Sequence, residues 1–124
     1  MPVLLRQVIV FVGDAPACAD WYCAHLGFTK VAAQSTATWC VVDAGGGVTL
    51  GFHQAFGPAG PMKEPTGSEM NPHKLVFEVA DVAALRQSLM NAGAQVFEIS
   101  KDVPLRCDAL DVEGHRFQLV QSSP

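Results

Sequence analysis

Apolar and polar residues alternate along "QVIVFVGD" (7–14), with Val8, Val10 and Val12 on one side and Gln7, Ile9 and Phe11 on the other. A strand has a period of two, so this is a strand with one greasy and one mixed face. The pattern returns 67 residues later in "KLVFEVAD" (74–81), where Leu75, Phe77 and Val79 oppose Lys74, Val76 and Glu78. Lys74 therefore shares a face with Val76 and Glu78, and His73 points the other way or belongs to the preceding loop. Each strand runs into an aspartate, after which the apolar spacing becomes helical: Ala15, Cys18 and Tyr22 in one half, Val82, Leu85 and Leu89 in the other. Asp14 and Asp81 are N-caps, Pro16 sits in a first turn where its missing N–H costs little, and Gly27 and Gly93 end the helices. The predicted helices cover 15–26 and 82–92.

The ends of the two halves match as well. "GVTLGF" (47–52) lies 67 residues before "GHRFQL" (114–119), and Leu50 and Phe52 correspond to Phe117 and Leu119. The fourth strand buries Val48, Leu50 and Phe52 and leaves Thr49, Gly51 and His53 on the mixed face. The eighth buries Phe117 and Leu119 and leaves Arg116, Gln118 and Val120. Two more strands fit into each half, at roughly 28–34 and 37–43 and at roughly 95–99 and 105–111. The chain thus reads as an α+β fold of two βαβββ modules, with the mixed faces forming a curved mixed sheet around a cavity and the helices on the outer face. The expected organisation is a single domain spanning 1–124, with module 1 at about 4–54, a linker at about 55–72 and module 2 at about 73–121. The connector "QAFGPAGPMKEPTGSEMNP" (54–72), rich in proline and glycine, reads as a flexible linker or as a loop over a site.

Composition narrows the function. The 124 residues are 49% hydrophobic and 16% charged, a globular rather than a disordered balance. The net charge is −4 and the basic residues are scattered, which argues against nucleic acid as a partner. No run approaches the about 18 apolar residues of a membrane span, and the N-terminus lacks a signal-peptide layout. Cys18, Cys23, Cys40 and Cys107 form no CxxC pair, so they read as reduced thiols of a cytoplasmic protein rather than a zinc knuckle.

Three stretches, "QVIVFVGDAPACADWYCAHLGF", "HKLVFEVADVAALRQSLMNAGAQV" and "LDVEGHRFQLVQ", together resemble the vicinal oxygen chelate superfamily of glyoxalase I, bleomycin-resistance proteins and extradiol dioxygenases. The last stretch is similar to the family's Asp-Pro-x-Gly-x-x-x-Glu ending, with Val112 in place of proline and Gln118 in place of glutamate. The resemblance implies metal ligands at the starts of the first and fifth strands and in the middles of the fourth and eighth, which here are Gln7, Gly51, Lys74 and Gln118. Glutamine can ligate weakly, glycine has no side chain and lysine carries the wrong charge. The reading is a chain with no metal and no cofactor. The resemblance also implies a homodimer and a small-molecule ligand, as in the antibiotic-resistance members.

The expected ligand-binding residues are Gln7, Ile9, Phe11, Trp39, Gly51, His53, Lys74, Val76, Glu78, Arg106 and Gln118, lining a mostly apolar cavity for an aromatic or drug-like molecule. Gln7 and Gln118 are read as corresponding positions of the two halves, bonded to a ligand or to one another. Lys74 either binds an anionic ligand group or pairs with Glu78 or another acid at the rim. Trp39 belongs to the core or to the cavity wall, and Arg106 to a carboxylate or to solvent. The alternative is an enzyme of lyase, isomerase or dioxygenase type. It would use His53 or Glu78 as base, or a displaced metal site from His53, Glu78 and Gln7.

Overall fold

The computed structural model describes residues 2–55 and 73–123, which fall into two compact units, one for each module. The expected connector at about 55–72 lies outside the described residues except for Ala55.

Module 1 runs β1 (Gln7–Val12), α1 (Ala15–Leu26), β2 (Thr29–Lys30), a 3-10 turn (Ala32–Gln34), β3 (Trp39–Asp43) and β4 (Thr49–Gln54). Its sheet has the order β1-β4-β3-β2, with β1 and β4 parallel and the other pairs antiparallel. α1 starts where Asp14 accepts a hydrogen bond from the Ala17 N–H at 3.0 Å, and it ends at Gly27, whose φ of 73° suits glycine. The helix covers the greasy face of the sheet. Tyr22 stacks on Phe52 at 5.1 Å, and Ala15, Cys18, Ala19, Leu50 and Val42 close the core around them. Burying each of the larger side chains is worth about 1.5–3 kcal/mol, so this seam holds the module together.

Module 2 runs β5 (Leu75–Val79), α2 (Val82–Asn91), β6 (Arg106–Leu110) and β7 (Arg116–Gln121), in the sheet order β5-β7-β6. β5 and β7 are parallel, β6 and β7 antiparallel. The registers of the two modules superimpose under the 67-residue offset: Val8 faces Leu50 as Leu75 faces Phe117, and Val41 faces Gly51 as Asp108 faces Gln118. Polar side chains are duplicated too. Asp81 caps Ala84 as Asp14 caps Ala17, and Gln121 Oε1 accepts from the Val82 N–H as Gln54 Oε1 accepts from the Ala15 N–H. Gln121 also donates to the Ala80 carbonyl. A glutamine in each last strand thus fixes the start of its module's helix.

Two expected strands are shorter than their patterns. The stretch at 28–34 pairs only at Thr29 and Lys30, because Ala32–Gln34 closes a 3-10 turn and Ser35 Oγ bonds the Val31 carbonyl at 2.9 Å. The stretch at 95–99 is an isolated bridge, Val96 to Ala109, although the Phe97 N–H still bonds the Asp108 carbonyl at 2.9 Å. Beyond it the chain turns through Ser100–Pro104, and Ser100 Oγ accepts from the Arg106 N–H instead of continuing a ladder. Among the described residues no helix is long and apolar enough to cross a membrane.

Candidate functional site

In each module the face away from the helix carries the polar and exposed groups, and the two faces have diverged in chemistry at matching positions. In module 1 the face is aromatic. β1 presents Ile9 and Phe11, 51% and 57% exposed. Two strands away, Trp39 lies opposite His53 in the β3–β4 register. The His53 ring stands edge-on to Phe11 at 5.5 Å and to Trp39 at 6.0 Å. Trp39 reaches across Gly51: a Cβ built on Gly51 would stand 2.1 Å from Trp39 Cη2, which no real contact tolerates. Trp39 is therefore half-buried on the face away from the helix, and Gly51 is the gap it fills. Gln7, at the start of β1, donates from Nε2 to Thr49 Oγ1 at 3.0 Å.

In module 2 the face is charged, and its hub is Asp108. Its carboxylate accepts from Arg116 Nε at 2.7 Å and from Lys74 Nζ at 3.1 Å on Oδ2, and from Gln118 Nε2 at 2.9 Å on Oδ1. Burial acts to raise the Asp108 pKa. The bonds from Gln118, Arg116 and Lys74, with the Lys74 charge, outweigh it and hold the carboxyl below its ordinary value. Asp108 is thus ionised at neutral pH. The acid that Lys74 pairs with is Asp108 rather than Glu78, which is exposed on β5 beside Val76. Arg106 is turned away from this hub: its Nη2 bonds Asp102 and its Nη1 the Pro104 carbonyl, both at 3.0 Å. Beside the hub lies a groove of about 170 Å³ lined by Phe97, Glu98, Ser100, Arg106, Asp108, Arg116 and Gln118.

The registers correct one expectation. Gln7 lies opposite Thr49 in β1–β4, and Gln118 lies opposite Val76 in β5–β7. The counterpart of Gln7 is therefore Lys74, and the counterpart of Gln118 is Gly51. Each glutamine donates from Nε2 within its own module, Gln7 to Thr49 and Gln118 to Asp108. Asp108 carries little signal in the sequence, because it lacks a partner acid or histidine at a familiar spacing. Its signal is the 67-residue offset itself, which sets an aspartate on the mixed face where module 1 has Val41.

The donors at the four family positions do not fit a divalent ion. Gly51 has no room for a side chain, Lys74 is an ammonium held on Asp108, and Gln7 and Gln118 offer only neutral amide oxygens where a hard divalent ion favours carboxylate or imidazole. Among the described residues no three histidine, cysteine, aspartate or glutamate side chains are grouped to hold a metal. Burial is the main cause pushing the Cys23, Cys40 and Cys107 thiols up, which keeps these three protonated and poor nucleophiles.

Known structures share this architecture. A possible glyoxalase from Bacillus cereus matches with a TM-score of 0.75 at 12% identity, covering 96% of this chain and 99% of that one. TnmS3, an antibiotic binding protein from Streptomyces sp. CB03234, matches with a TM-score of 0.73 at 22% identity, covering 98% of each chain. The oxidase ChaP-H2 matches with a TM-score of 0.69 at 16% identity, covering 99% of this chain and 98% of that one. At such identities the likeness establishes the fold, which evidently serves more than one chemistry. No curated protein sequence matches the chain. The sequence model of the glyoxalase-like domain matches residues 7–120. With the duplicated βαβββ pattern and nearly all of the chain covered by that match, the protein belongs to the glyoxalase-like domain family of the vicinal oxygen chelate superfamily.

Proposed function

We propose that the chain is a metal-independent binding protein for an aromatic or partly apolar small molecule. The observation that carries this reading is the aromatic surface of module 1, in which Trp39, His53 and Phe11 stand ring against ring over a glycine, with Ile9 and Phe11 left exposed. Apolar walls with a few oriented polar groups are what a small-molecule seat requires. Aromatic rings also stack on planar ligands at low conformational cost. The antibiotic-binding neighbour supports the same class of function. The candidate binding residues remain Gln7, Ile9, Phe11, Trp39, Gly51 and His53 in module 1, and Lys74, Val76, Glu78, Arg106 and Gln118 in module 2. Cys18, Cys23, Cys40 and Cys107 form no disulfide, in keeping with a reducing, cytoplasmic setting. Exposed Ile9, Phe11 and Val76 favour association of two copies, and light scattering should then give twice the 13.2 kDa chain mass.

A thermal-shift screen of aromatic compounds in EDTA tests the reading. Ligands bound at about 100 times their Kd stabilise by about 2.7 kcal/mol, which raises the Tm by several degrees for a chain of this size. The expected result is a set of planar compounds that stabilise the wild type in EDTA and lose the effect in Trp39→Ala. No stabilisation anywhere in the screen, or stabilisation that EDTA abolishes, contradicts it. Turnover of a hit, lost in His53→Gln or Glu78→Gln, would convert the reading to the enzymatic alternative.

A further inference from the structure

We propose that the groove beside Arg116 in module 2 is a carboxylate subsite, seating the planar monoanionic head of an organic acid against the guanidinium. The inference rests on the mixed faces being ligand surfaces, and it assigns the chemistry of one part of them.

Arg116 is held on two sides. Nε is bonded to Asp108 at 2.7 Å, and Cζ lies 4.1 Å from the centroid of the Phe97 ring, a cation–π stack. A guanidinium fixed at one edge and one face has little rotamer freedom left to lose on binding. Its two Nη nitrogens bond no described residue, the side chain is 28% exposed, and it lines the groove. That edge is the planar fork that matches a carboxylate with two parallel N–H bonds. Arg106, on the same wall, differs: both of its terminal nitrogens are bonded, to Asp102 and to the Pro104 carbonyl. The carboxylate role considered for Arg106 therefore passes to Arg116.

Charge and size choose among anions. Two arginines, Arg106 and Arg116, and two acids, Glu98 and Asp108, line the groove, so it holds no surplus of positive charge for a dianion such as phosphate. Recognition must come from fork geometry rather than from field strength, which favours a planar monoanion. The volume of about 170 Å³ is below the about 300–1,000 Å³ of a whole-ligand pocket, and suits one acid group or a small aromatic acid.

Amide chemical shifts of the full-length protein at about pH 8, where inorganic phosphate is mostly the dianion, test the proposal with sodium benzoate as probe. Benzyl alcohol is the neutral match, sodium phosphate the dianion and 2-naphthol the uncharged aromatic. Benzoate is expected to move the Ser100, Arg106 and Gln118 amides saturably, with benzyl alcohol and phosphate leaving them in place. Arg116→Lys keeps the charge but loses the fork and should weaken benzoate about tenfold or more. Equal shifts with benzyl alcohol or phosphate, no saturable shift with benzoate, or an unchanged Kd in Arg116→Lys would overturn it. The wild-type comparison stands even if that variant folds poorly. The naphthol titration separates the two readings. Shifts at Phe11, Gly51 and His53 with naphthol but none with benzoate refute only the carboxylate subsite, whereas no response to either probe refutes both.

Discussion

Asp108→Asn lowers the unfolding free energy by about 2–3 kcal/mol at neutral pH, the largest loss expected from any single polar substitution in module 2. The change keeps the shape of the side chain and removes its charge. Arg116 and Lys74 then face each other across a neutral amide, and the new NH2 meets donors that previously met an acceptor. Most of the loss comes from the Arg116 and Gln118 bonds. The Lys74 contact is one-third exposed and, screened by solvent, contributes about 1 kcal/mol or less. The pH dependence follows from the lowered pKa of Asp108. A carboxyl whose folded pKa lies below its unfolded value of about 3.9 stabilises fully above that value and loses the contribution as pH falls through the folded pKa. Urea unfolding of wild type and variant should thus show a constant gap from neutral pH to about pH 5, closing below about pH 4 as Asp108 protonates. A gap that persists undiminished in acid would mean that the charge of Asp108 is not what orders this face.

Gly51→Ala is expected to cost about 1–3 kcal/mol and to displace the Trp39 indole. The added methyl would lie 2.1 Å from Cη2 and 2.8 Å from both Cζ2 and Cζ3 of that ring, so the ring must swing off the sheet and leave its place beside His53. The aromatic compounds that stabilise the wild type should bind the variant less well. In a Trp21→Phe background, which leaves one tryptophan, the emission of Trp39 should shift to the red. The control is a double-mutant cycle: in Trp39→Ala the same Gly51→Ala change should cost less than about 0.5 kcal/mol, because nothing then occupies the space. An equal cost in both backgrounds would show that backbone strain, not the indole, demands glycine there. The same clash explains why position 51 offers no chelating side chain: any residue larger than glycine competes with Trp39 for one volume.

The fold was readable because its signals are local and occur twice. Alternation along 7–12 and 75–79, the capping aspartates and the helix-ending glycines each repeat at one offset, so each half supports the other. The second strands are shorter than their patterns because their apolar residues satisfy a period of two without a continuous partner. Ala32–Gln34 and Ser100–Pro104 bend the backbone into bonds made by serine hydroxyls, a choice that periodicity does not record. At the site, sequence parity sets His53, Lys74 and Gln118 on mixed faces and leaves Trp39 between core and cavity wall, but it does not give what they touch. That Trp39 fills the space over Gly51 depends on a rotamer, and that Lys74 and Gln118 converge on Asp108 depends on the β6–β7 register. Both are properties of pairing between strands, absent from any one segment.

The proposed function requires ligand binding without a divalent ion, because an indole, an ammonium and two neutral amides take up the family positions. The metal content of the protein, purified without chelator from cells grown in metal-supplemented medium, tests it most directly. Zinc, nickel, manganese, iron and copper are each expected far below one ion per chain. A stoichiometric divalent ion that survives dialysis would contradict it.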